Sequence, residues 1–136
     1  MTDDEFLSAL ERCTLAESEF GHASHVRAAY LYLQLGDFAI ALQRLRDAIS
    51  RFATHAGKPG RYHETVTVAY LALIQQHIAE RGRGGSWERF ALDNPELFDC
   101  KLLLQYYSQG QLDSDLARRQ FLLPHRTPRT EIPSAV

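Results

Sequence analysis

The chain has 136 residues, of which 45% are hydrophobic, 10% aromatic and 24% charged. That is the make-up of one globular domain able to bury a core without staples, and it excludes general disorder. Fifteen Lys and Arg against 17 Asp and Glu leave a formal charge of -2. The balance provides neither a basic footprint for nucleic acid nor a polybasic signal for an anionic membrane.

The start, Met1-Thr2-Asp3-Asp4-Glu5, is acidic where a secretory signal is basic and then apolar. The strongest apolar run, Ala69 to Ile74, is far short of the ~20 residues that span a bilayer. The expected location is therefore the cytoplasm. Cys13 and Cys100 form no CxxC pair and read as separate small core residues. Thirteen of the 15 basic residues are arginine, a usage that fits a GC-rich bacterial genome.

No strand-like alternation occurs, while helix signals repeat. Thr2 with Glu5, and Thr14 with Glu17, have the spacing of capping boxes. They predict a short helix near 3–12 and a long one near 15–35, which Gly36 ends as a left-handed cap. Asp37 caps a third helix, near 38–55, with Phe38, Ala41, Leu42, Leu45, Ile49 and Phe52 along one side. Leu33 to Leu42 resembles the inter-helix turn of a tetratricopeptide repeat, but no second copy follows, so a generic helical hairpin is the reading. Gly57-Lys58-Pro59-Gly60 is a turn. A fourth helix runs from Tyr62 to Arg81, and Gly82 to Gly85 form a flexible connector. Ser86 caps a short helix, Asn94-Pro95 starts a further segment, and Ser114-Asp115 opens a last helix ending near Phe121. The expected fold is all-α, a single-domain irregular bundle of six to seven helices, four of them main, over residues 1–123. Residues 124–136 are expected to form a flexible Pro-containing tail.

At about 100° per residue, His22, Val26, Ala29 and Leu33 share the apolar face of the second helix. His25 flanks that face on one side and Glu19 on the other, while Ser24, Arg27 and Gln34 lie on a wetter face. On the fourth helix Val66, Thr67, Tyr70 and Ile74 cluster around the direction of His63. Three imidazoles and a carboxylate thus point inward, where an unpaired polar group costs about 2 kcal/mol or more. A divalent metal compensates for lost water efficiently, because neutral imidazole and carboxylate are its natural ligands. The expected metal ligands are His22, His25, His63 and Glu19, holding iron, copper or zinc. Tyr62, Thr67 and Tyr70 are the candidates to orient water or a small-molecule substrate, in an oxygenase-like or hydrolase-like enzyme. Two other readings compete. One is a metal-free catalytic or ligand-binding pocket. The other is a non-catalytic interaction module in which His22 and His25 pair with Glu19 and with the hydroxyls of Tyr30, Tyr32 or Tyr70. Many apolar helix faces on a short chain are compatible with a homodimer.

Nearby motifs fail. His63-Glu64-Thr65-Val66-Thr67 has threonine where a zinc-protease helix needs its second histidine, and Glu64 points away from His63 as a first-turn acid. His77 lies about 21 Å along the helix from His63, too far to share a metal. Arg27 and Arg61 flank the site in sequence and read first as surface residues, second as clamps for an acidic substrate.

His22-Ala23-Ser24-His25, the aromatic run Tyr30 to Leu33, and Tyr62-His63-Glu64-Thr65-Val66-Thr67 together resemble a family of small bacterial all-helical proteins of uncharacterised function. Tyr106-Tyr107-Ser108, Ser114 and Ala117 to Phe121 extend the likeness over most of the chain. It implies an all-helical fold and draws attention to His22, His25 and His63, and it carries no activity.

Overall fold

Most helices begin where a short polar side chain precedes an apolar periodic run. The computed structural model describes residues 1–125. Among these it has no strand and seven α-helices: α1 (Asp3–Glu11), α2 (His22–Leu35), α3 (Phe38–His55), α4 (Glu64–Arg81), α5 (Trp87–Asp93), α6 (Gln109–Asp113) and α7 (Asp115–Arg119). The all-α bundle expectation holds. Thr2 and Glu5 form the reciprocal box at α1, with bonds of 3.1 and 3.0 Å. Asp37, Ser86 and Ser114 accept from the third backbone N–H of α3, α5 and α7 in the same way.

Several local expectations are overturned. Thr14 does not cap; its hydroxyl donates to the Ala9 carbonyl at 3.3 Å. Cys13 takes φ of 58°, a left-handed conformation uncommon outside glycine, and turns the chain away from α1. The long helix expected near 15–35 is therefore split into a 3-10 turn at Glu17–Glu19 and α2. Gly36 is extended, with φ and ψ of -176° and -178°, so it is no left-handed cap. A Cβ there would approach Ile40 Cγ2 to 2.8 Å, so the glycine provides space. The 94–121 region begins with 3-10 turns at Pro95–Phe98 and Leu102–Gln105 and then forms α6, whose cap Ser108 accepts from the Gln111 N–H at 3.1 Å. Both cysteines are free, and Cys100 is exposed rather than in the core.

The three long helices α2, α3 and α4 pack on one another, α1 lies on α3, and α7 on α4. The middle of α2, Ala28 to Leu33, is buried all round, so this helix runs through the centre instead of showing one wet face. The connector after α4 is anchored on it: Tyr30 Oη donates to the Arg83 carbonyl at 2.7 Å. Gly84, at φ of 77°, lies so close to Phe90 that a Cβ would meet its backbone N at 2.9 Å. No helix of the described residues is long and apolar enough to cross a membrane. Of the expected tail, residues 126–136 lie outside the described residues.

The C-terminal elements are tied to the start of α4 by one hydroxyl. Thr65 is fully buried; its Oγ1 lies 2.8 Å from the Ala117 carbonyl and 2.9 Å from that of Gln120, which share its single proton, and it accepts from the Leu122 N–H at 3.1 Å. The near-isosteric Thr65→Val leaves all three backbone groups without it. A loss of about 2 kcal/mol in urea-unfolding free energy is expected, with faster proteolysis after α6 than elsewhere.

Candidate functional site

A cavity of about 330 Å³ opens at the junction of α2, α3 and α4. From α2 it receives His22, His25, Val26 and Ala29, from α3 Leu45 and Ile49, and from α4 Val66, Thr67 and Tyr70. Phe20 and Gly21, just before α2, and Arg61 and His63, just before α4, complete the wall. Two polar helix starts thus meet one apolar helix side. The three imidazoles expected to point inward do face one cavity, yet each is half-buried and each has a different role.

His22 Nε2 lies 2.9 Å from the Leu97 carbonyl. A carbonyl only accepts, so Nε2 carries the proton, and the ring fastens the start of α2 to the Pro95–Phe98 turn. The ring also meets Tyr70 edge-on, with centroids 4.9 Å apart. His63 is the cap of α4: its Nδ1 accepts from the Val66 N–H at 3.2 Å, and its Nε2 donates to the Leu112 carbonyl at 2.7 Å. Both of its nitrogens are committed. Thr67 donates to the His63 carbonyl at 2.8 Å, which leaves its oxygen free to accept. Tyr70 donates outward to the Asp99 carbonyl at 3.2 Å, and burial pushes its hydroxyl up to about 12.

His25 differs from the other two. Its ring stacks on Phe20, with centroids 4.2 Å apart and planes at 27°, and no hydrogen bond holds it. Burial, aided by the nearby His22, pushes it down to about 4. The imidazole is neutral at pH 7, with one donor and one acceptor nitrogen.

These commitments overturn the metal centre. Among the described residues no group of three or more His, Cys, Asp or Glu side chains could hold a metal ion. The lost water at His22 and His63 is replaced by backbone carbonyls. Glu19 turns away to accept from the Ala16 N–H at 3.0 Å. The choice among iron, copper and zinc therefore does not arise at these residues. The expected His–Glu–Tyr network is absent too, since Tyr30 bonds Arg83 and Tyr32 Oη has no partner.

Tyr62 lies outside the cavity. Its hydroxyl donates to Glu64 Oε1, which Arg46 holds through Nε (3.0 Å) and Nη2 (2.7 Å). Burial and Glu64 push Tyr62 up to about 12. Burial works to raise the Glu64 carboxyl, but the bonds from Arg46 and Tyr62 outweigh it and hold the group low. Arg27 is also elsewhere, paired with Asp3 at 2.8 Å. His77 bonds Asn94 at 2.8 Å, remote from His63 as its spacing required. Arg61 reaches the cavity, and its Nη1 donates to Glu17 Oε1 at 2.9 Å. Leu45 and Ile49 had been visible only as part of an apolar stripe. Nothing in the pattern marked the carbonyls of Leu97 and Leu112, because backbone acceptors have no sequence signature.

No family model, no curated protein and no solved structure matches the chain. The resemblance to the bacterial helical family rests on its motifs alone.

His25 also sets a pH dependence. Its value in the folded chain lies below the 6.5 of a free imidazole, so protons bind the unfolded chain first. Its contribution is complete above pH 6.5 and is lost as pH falls from there to about 4, by about 3 kcal/mol at most. In urea unfolding at pH 7 and pH 4.5, His25→Phe should lose about 2 kcal/mol less than the parent across that interval. Equal losses would refute the assignment.

Proposed function

We propose that this chain is a small-molecule-binding helical domain whose ligand occupies the cavity between α2, α3 and α4. The observation that carries this reading is His25, which lies against the cavity with both ring nitrogens unpartnered, whereas both nitrogens of His63 and Nε2 of His22 are bonded. Neither His25 nitrogen is sealed from the cavity, so one donor and one acceptor are available to a ligand without breaking a bond within the protein. The cavity falls within the size of small-ligand sites and is walled mostly by carbon, with a few polar groups at its edge. In this reading Thr67 Oγ1 and the free Nδ1 of His22 are further acceptors, Tyr70 is a wall, and Tyr62 takes no part.

The test uses a panel of aromatic compounds of about ten non-hydrogen atoms, a size set by allowing roughly 30 Å³ each. Binding is followed by the ring signals of His25 and Tyr70 in NMR spectra. Val66→Phe, which fills the cavity from α4, should weaken every binder at least tenfold while the melting temperature stays within a few degrees. A panel that moves neither ring, or binders indifferent to Val66→Phe, would remove the proposal.

A further inference from the structure

The charges around the cavity are one-sided. Its wall holds the Arg61 guanidinium and no carboxylate. A second cavity of about 180 Å³ adjoins it, sharing Phe20, His25, Ile49 and Arg61 and adding Lys58 and Glu17. There Lys58 and Arg61 both bond the same oxygen, Glu17 Oε1. Two cations against one anion leave the rim with a net positive charge, on side chains that remain 45% to 64% exposed. The interior is the opposite, made of Val26, Ala29, Leu45, Ile49 and Val66.

We propose that the cavity takes a small apolar monocarboxylate, its hydrocarbon part on the aliphatic floor and its carboxylate at Arg61. The inference rests on the cavity being a ligand site and adds the ligand's chemical class. An uncharged apolar ligand would leave the positive rim unanswered. A bare inorganic anion would leave the apolar floor wet. A carboxylate on a ring or branched chain answers both, and Arg61 offers it parallel N–H groups in place of the one Glu17 oxygen it now holds. His25 is on the wall shared by the two cavities, where its N–H donates to the second carboxylate oxygen. The uncapped first turn of α2, which begins at Gly21 on the same wall, adds its partial positive charge.

The full chain is titrated by calorimetry with phenylacetate, its neutral twin phenylacetamide, and inorganic phosphate. Phenylacetate should bind at least tenfold tighter than either, a charge-assisted bond's worth of discrimination. Arg61→Gln, at an exposed position, should erase the preference over the amide and leave amide binding within twofold. Glu17→Gln, which frees Arg61, should tighten phenylacetate about threefold. If phenylacetamide binds as well as phenylacetate and Val66→Phe blocks both, the ligand site stands and the carboxylate inference falls. Equal binding of phosphate would reduce the site to an anion-attracting rim and overturn the inference. If no probe binds, ligand site and carboxylate class fall together.

Discussion

A polar side chain on an inward helix face needs a partner, and in this protein the C-terminal elements provide it. His22 and His63 begin two of the three long helices. Each reaches across to a carbonyl from the irregular second half of the chain, Leu97 or Leu112. Thr65 does the same with Ala117 and Gln120. These bonds join α4 and the start of α2 to a 3-10 turn and to the short helices α6 and α7. The polar residues thereby act as staples between a regular half and an irregular one, since buried carbonyls must be bonded somewhere.

The cavity follows from the same arrangement. With His22 and His63 drawn toward carbonyls, and Ile49 and Leu45 presented by α3, the helix starts cannot close on one another. Phe20 fills part of the gap by stacking on His25 and meeting Phe52 at 4.9 Å. The space that remains is lined by carbon with a single unbonded imidazole. Arg61 on its wall bonds Glu17, which belongs to the short turn before α2.

An arrangement of three inward histidines and an acid invites a metal by residue type. Geometry decides otherwise, because coordination needs converging lone pairs rather than converging side chains. His63 spends one lone pair on its own helix as a cap, Glu19 spends its carboxylate on the turn that holds it, and His22 directs its N–H at a carbonyl. Nothing in the periodicity could disclose this. Helical angle places a residue on a face, but the rotamer and the hydrogen-bond partner depend on what arrives from 49 or 75 residues away.

Local chemistry was legible in the residues themselves. Thr2, Asp37, Ser86 and Ser114 announce helix starts because a hydroxyl or carboxylate three residues before a free N–H is placed to bond it, and Thr14 fails where its hydroxyl is taken by the Ala9 carbonyl. The shared face of His22, Val26 and Ala29, and that of His63, Val66, Thr67 and Tyr70, followed from 3.6 residues per turn. Non-local choices were not legible. The split of the expected 15–35 helix turned on the left-handed Cys13, and the role of Gly36 turned on the proximity of Ile40. The sequence by itself determined an all-helical chain with its polar groups on inward faces. Tertiary structure alone decided that those groups bind backbone carbonyls and leave one imidazole over, because the carbonyls that compete for them reach the site only when the chain folds back.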